Sequence, residues 1–131
     1  VMTEKVAEAS LKPGDHGTTY GGNPFVGAAV SKVFELFEKR RLTDHVKEIA
    51  VYLEEKLELL QAEYDCITAR RGKGLMQGLE LTVPVGEVSK RALEQGLVLI
   101  TAGSNVLRFV PPLVIEKEHV DEMVEVLRKV L

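Results

Sequence analysis

The sequence has no tryptophan, one cysteine (Cys66) and three histidines. A single cysteine excludes an internal disulfide framework and fits a reducing cytoplasm. No His-Asn/Asp pattern near Cys66 supports a nucleophile, and the residue reads as a small apolar side chain in a strand. His16, His45 and His119 show none of the spacings of metal ligands, which argues against a metal site. His45 and His119 stand among charged residues and read as surface. The net charge of −3 leaves no basic surplus of the kind that attracts nucleic acid or an anionic membrane. No apolar run approaches the roughly 18 residues of a membrane span. The opening "VMTEKVAEAS" is amphipathic and lacks the apolar centre of a signal peptide. Internal repeats and low-complexity segments are also missing.

What is there suits a folded domain. The 131 residues are 45% apolar and 28% charged, enough for one core. Position 1 is Val, already inside a helical pattern, which reads as part of a longer chain; a trimmed start is the alternative. In "NPFVGAAVSKVFELFEKRR", Asn23 suits an N-cap and Pro24 the first helical position. Val26, Ala29, Val30, Val33, Phe34 and Phe37 recur at helical spacing. A second helix follows, capped by Thr43 or Asp44, with Val46, Ile49, Ala50, Leu53, Leu57 and Leu60 as its buried stripe.

The period then shortens. "CITARRGKGLMQGLELTV" holds two strand-like runs around Gly72 and Gly74, in uncertain register. "EVSKRALEQG" is a short helix ended by Gly96 in the left-handed conformation. "LVLITAG" reads as a buried strand and "VLRFV" as another, stopped by Pro111-Pro112. "EKEHVDEMVEVLRKVL" is a closing amphipathic helix. Helices and strands are partly segregated, which predicts an α+β fold: a small, mostly antiparallel sheet with helices over one face. Residues 1–40 read as a loop and connecting helix that belong with a neighbouring domain, and 41–131 as the small α+β domain.

Three stretches carry candidate chemistry. "GDHGTTYGGNP", residues 14–24, sets four glycines, Thr18 and Thr19 before a helix N-terminus. Free backbone N–H groups, hydroxyls and the helix dipole suit a phosphate. The stretch is neither a P-loop nor a dinucleotide fingerprint, and a tight turn using glycine for positive φ explains it equally. Asp15 and His16 precede the threonines, and His16 is a candidate acid or base. Arg108, alternating with Leu107 and Phe109, suits two-pronged binding of a carboxylate; an edge arginine facing water is the alternative. Arg70, Arg71 and Lys73 read as a solvated basic turn or an anion site. Nothing here completes a catalytic mechanism.

"LKPGDHGTTYGGNPFVGAA", "RGKGLMQGLEL" and "GLVLITAGSNVLRFVPPLVI", in this order, resemble the C-terminal part of class-III pyridoxal-phosphate aminotransferases. The resemblance covers essentially the whole chain. It implies a fold-type-I homodimer whose active sites lie at the subunit interface, and pyridoxal 5′-phosphate held on a lysine upstream of these residues. It implies that Thr19, assisted by Thr18 and nearby N–H groups, serves the cofactor phosphate of the neighbouring subunit. Arg108 then binds the α-carboxylate of the amino-acid or 2-oxo-acid substrate, and Gly72, Gly74 and Gly78 are structural. The implied reaction is ping-pong transamination. The first motif is most similar to that of the member using N2-acetylornithine and 2-oxoglutarate in arginine biosynthesis. Relatives acting on ornithine, succinylornithine, succinyldiaminopimelate or 4-aminobutyrate are alternatives, as is a non-catalytic module binding a phosphate or carboxylate. Without the upstream lysine, these residues alone are expected to be inactive.

Overall fold

Apolar periodicity of 3.6 in the helices and 2 in the strands converges on one core, in a computed structural model that describes residues 3–10, 12 and 14–131. Val1, whose non-Met identity is noted above, and Met2, Leu11 and Pro13 of the first motif lie outside the described residues. The chain divides into two compact units, 1–36 and 37–131.

The first unit contains α1 (Glu4–Ser10), a turn-rich loop and most of α2 (Pro24–Lys39). Asn23 caps α2 as its sequence predicts: its Oδ1 accepts the Val26 N–H at 3.0 Å. The apolar stripe expected on α2 is present in sequence, but none of its residues is buried. Phe25 is 84% exposed and Phe34 68%, so this helix is not part of the core.

The second unit is built on α3 (Leu42–Glu63), β1 (Ile67–Lys73), β2 (Met76–Leu81), α4 (Val85–Glu94), β3 (Ile100–Ala102), β4 (Val106–Phe109) and α5 (Lys117–Val130). The four strands make one fully antiparallel sheet in the order β1-β2-β4-β3. This is the small α+β arrangement that the sequence predicts. Ile49, Leu53, Leu57 and Leu60 of α3 pack with Val120, Val124 and Leu127 of α5 and Val88 and Ala92 of α4 against Ile67, Leu79, Leu81, Leu107 and Phe109 of the sheet. Each fully buried Leu contributes roughly 1.5–3 kcal/mol relative to exposure. Leu97 N–H reaches the Ala92 carbonyl at 2.9 Å, and Gly96 takes φ +85° to close α4.

Four local expectations are corrected. Neither Thr43 nor Asp44 caps α3: Arg41 occupies that position in a left-handed conformation with φ 48°. Asp44 instead sits in the first helical turn, where its carboxylate accepts from Arg41 Nη2 at 2.8 Å. "LVLITAG" yields only a three-residue edge strand, with Val98 75% exposed, because β4 pairs it on one side alone. Cys66 lies in the turn before β1, half-buried against the core, rather than in a strand. His45 is half-buried, with Nε2 2.8 Å from the Ile115 carbonyl, and ties α3 to the segment before α5.

Candidate functional site

In the first unit the loop before α2 is organised by local hydrogen bonds. The Gly21 N–H donates to Thr18 Oγ1 at 3.2 Å. The Asn23 side-chain amide donates to the Tyr20 carbonyl. The Lys12 N–H donates to Asp15 Oδ2 at 2.7 Å. A Cβ at position 21 would stand 2.1 Å from Thr18 Cγ2, so a larger residue there would have to displace the Thr18 side chain. Gly22 has φ +72°, a conformation that favours glycine. Thr18 and Thr19 thus sit side by side on an exposed turn leading into a capped helix N-terminus. Thr18 spends its hydroxyl oxygen on the turn. Thr19 makes no side-chain hydrogen bond among the described residues and keeps its donor free. His16 is exposed and likewise has no partner among them.

In the second unit, alternation separates two faces of the sheet. Gln77, Leu79, Leu107 and Phe109 face the helices, and Gly78, Glu80, Val106 and Arg108 face away. The register sets Arg71, Gly78, Arg108 and Ile100 in one row across the four strands. A shallow depression of about 390 Å³ opens over Gly78, with Arg71, Lys73, Met76, Val106 and Arg108 around it. Gly78 forms its floor, and a Cβ there would press on Val106 Cγ1 at 3.1 Å. A second, apolar cavity of about 390 Å³ lies at the other side of Arg108, among Leu97, Phe109, Pro111, Ile115 and Met123.

The three arginines of the sheet are used differently. Arg70 turns toward the helices, where Nη2 meets Glu58 Oε1 at 2.9 Å and Nη1 meets Gln77 Oε1 at 2.9 Å. Gln77, the only buried polar side chain among the described residues, passes the network to Glu54 and to the Gly74 carbonyl. Arg71 lies on the outer face, with Nη2 2.5 Å from Glu80 Oε2. Asn105 Nδ2 donates to the other Glu80 oxygen at 3.1 Å. Arg108 is exposed and has neither an ion pair nor a hydrogen-bond partner among the described residues. In the basic cluster, Arg70 and Arg71 are thus ion-paired on a strand rather than solvated in a turn, while Lys73, at the strand's end, is exposed and unpaired among the described residues.

Sequence reasoning missed Glu80, Asn105 and Gln77. For Gln77 and Glu80 the signal was strand alternation, which the loose pattern of residues 75–81 obscured; Asn105, in the turn before β4, gave none. The groups with displaced protonation lie away from this face: Asp44, held low by Arg41 at the start of α3, and the others between α3 and α5. Hydrogen bonds from Lys56 and Tyr52 hold the Asp121 carboxyl below its ordinary range. Arg128 does the same for Glu63, and Lys117 for Glu48. No group of three metal-ligating side chains occurs among the described residues, and no described helix is long and apolar enough to cross a membrane. Thr18 and Thr19 belong to the first compact unit and Arg108 to the second.

Comparison with known proteins bears on both motifs. The family model described as "Aminotransferase class-III" matches residues 1–131. An acetylornithine aminotransferase of Methanocaldococcus jannaschii is 42% identical over 130 residues, covering 99% of this chain and 32% of that protein. The mitochondrial acetylornithine aminotransferase of Saccharomyces cerevisiae is 41% identical, covering 100% of this chain and 31% of that protein. This chain thus spans about a third of the length of these relatives. Among solved structures, acetylornithine aminotransferase from Elizabethkingia anophelis superposes with a TM-score of 0.81 at 28% identity, covering 92% of this chain and 31% of that one. Ornithine aminotransferase from Plasmodium yoelii gives 0.82 at 29%, covering 92% and 32%.

Proposed function

Since this chain belongs to the class-III aminotransferases, we propose that it supplies the C-terminal part of an acetylornithine aminotransferase, which moves an amino group from N2-acetylornithine to 2-oxoglutarate in arginine biosynthesis. The observation that carries the reading is Arg108: alone among the sheet arginines it is left without a counter-charge, on the open face and beside a glycine floor. A planar guanidinium in that state suits the α-carboxylate of an amino acid or 2-oxo acid. The relatives' names favour the acetylornithine substrate over ornithine, succinylornithine or 4-aminobutyrate.

The first unit fits the phosphate of pyridoxal 5′-phosphate. The Thr19 hydroxyl is unspent, the Gly21–Gly22 backbone carries no side chains, and the turn leads into a helix N-terminus. The cofactor, when bound, supplies the electron sink for the transfer. These residues hold and orient: Thr19, with Thr18 shaping the turn, grips the phosphate of the partner subunit in a homodimer, and Arg108 fixes the substrate carboxylate. The 131 residues alone are expected to show no turnover, because the resemblance places the cofactor-binding lysine outside them. The single cysteine is compatible with a cytoplasmic setting, although the yeast relative is named as mitochondrial.

A chimera tests the reading. This chain replaces the corresponding third of the M. jannaschii enzyme, and transamination is assayed with N2-acetylornithine and 2-oxoglutarate. Activity is expected, with loss of at least tenfold in kcat/KM on Arg108→Ala, equivalent to about 1.4 kcal/mol. A folded, cofactor-loaded chimera that prefers ornithine or 4-aminobutyrate would reassign the substrate. One indifferent to Arg108→Ala would remove the carboxylate role.

A further inference from the structure

Glu80 is the one carboxylate on the outer sheet face, and its position threatens Arg108. The register pairs Gly78 with Arg108 and Glu80 with Val106, so Glu80 and Arg108 are diagonal neighbours on adjacent strands. Diagonal positions stand about 7–8 Å apart, within reach of two long side chains. A free Glu80 would therefore close onto Arg108 and occupy the guanidinium that a substrate carboxylate needs. The structure shows why it does not. Arg71 Nη2 takes Glu80 Oε2 at 2.5 Å from the strand on the far side, and Asn105 Nδ2 takes Oε1 at 3.1 Å. Asn105 is itself held in place, because its carbonyl accepts the Leu81 N–H at 2.8 Å. Both carboxylate oxygens are thus engaged away from Arg108, and Glu80 is only 26% exposed, with little freedom to turn.

We propose that Arg71 and Asn105 are positioning residues of the carboxylate site, which keep Arg108 open by sequestering Glu80. The proposal rests on the reading of Arg108 as the carboxylate-binding residue. Arg71 does not touch the substrate in this account. Its effect passes through Glu80, and Glu80 does damage only when Arg71 is gone.

The test is a double-mutant cycle in the chimera, read as the KM for 2-oxoglutarate, with the Arg108 side-chain Nε–H resonance of the ligand-free 131-residue chain as a second readout. Arg71 is 73% exposed, so its removal leaves the core untouched; Arg71→Gln is the second variant should Arg71→Ala disturb the hairpin. Arg71→Ala is expected to weaken 2-oxoglutarate binding by about five- to tenfold, and Glu80→Gln alone to change it less than about twofold. Adding Glu80→Gln to Arg71→Ala should restore binding to within about twofold of the unsubstituted chain. Simple charge bookkeeping predicts something else: Glu80→Gln would tighten binding equally with or without Arg71, and that additive result overturns the proposal. A ligand-free measurement separates the two claims. In Arg71→Ala without probe, the Arg108 resonance should shift, and Glu80→Gln should reverse the shift; an unmoved resonance refutes the capture of Arg108 by Glu80. If the KM of the chimera for 2-oxoglutarate does not respond to Arg108→Ala, the carboxylate reading itself falls, and the ligand-free shift still decides what Glu80 does.

Discussion

Replacing Gln77 by Leu should destabilise the small α+β unit, although the site is buried and leucine is the better core residue in isolation. Gln77 is 1% exposed and makes three hydrogen bonds: Oε1 accepts from Arg70 at 2.9 Å, and Nε2 donates to Glu54 at 3.0 Å and to the Gly74 carbonyl at 2.7 Å. A neutral bond contributes about 1 kcal/mol net, and one to a charged group about 1.5–3. Against this loss, Arg70 keeps Glu58 at 2.9 Å and Glu54 keeps partial access to water, so neither charge is orphaned. Leucine also recovers apolar burial of about 1.5–3 kcal/mol. With both charged bonds taken at the low end of their range, because Arg70 and Glu54 keep other contacts, the balance is a net loss of about 1–3 kcal/mol. Urea unfolding followed by far-UV circular dichroism should show the midpoint falling by about 0.5–1.5 M at unchanged slope, for a slope near 2 kcal/mol/M. A Gln77→Leu chain as stable as the original, or more so, would refute the claim that this network stabilises the fold. The network would then serve only to fix the β1–β2 register.

Other outcomes follow from the same structure. Leu107→Ala, at a position with no exposure in the centre of the sheet, should cost about 2–5 kcal/mol in the same unfolding assay. Gly72→Ala should disrupt the β1–β2 hairpin, since Gly72 has φ +140° and an added Cβ would lie 2.2 Å from the Met76 carbonyl oxygen; hydrogen exchange of the β1 and β2 amides should accelerate while α5 is spared. Gly21→Val should displace Thr18 without altering global stability, because the loop is exposed, and should weaken cofactor retention in the chimera by spectrophotometric titration. Acid should erode stability through Asp121, Glu63 and Glu48. Their carboxyls are held below the ordinary 3.8 and 4.5 by Lys56 with Tyr52, by Arg128 and by Lys117 respectively. Their contribution is therefore present above those values and is lost as the pH falls through and below them. Lys56 and Lys117 are raised above 10.5 by Asp121 and Glu48, so their share persists at neutral pH and is lost above that value. Thermal midpoints from pH 2 to 7 check the acid limb, and 0.5 M salt should flatten it, because these pairs are exposed.

The amino-acid sequence by itself determined the helices of the core, the α+β class and the candidate residues. Apolar spacing along residues 46–60 and 120–127 leaves one way to bury those side chains, and Asn23-Pro24 and Gly96 mark helix ends by local chemistry alone. Thr18, Thr19 and Arg108 stood out as candidates by residue type and setting, with a tight turn and a water-facing edge arginine as equal alternatives, and the family resemblance of the motifs around them gave them their expected roles. Tertiary structure decided what depends on partners distant in the chain. Whether "LVLITAG" is buried depends on how many neighbours the strand has, and it has one. Arg41, rather than Thr43 or Asp44, begins α3 because the chain reverses there with φ 48°, a cost no local pattern announces. The difference between Arg70, Arg71 and Arg108 is invisible in one dimension. Alternation sends Arg70 toward Glu58, while cross-strand register delivers Glu80 to Arg71 and Asn105 and leaves Arg108 alone. A side chain's charge is written in the sequence, but whether that charge is already spent is settled by what the fold places within three ångströms of it.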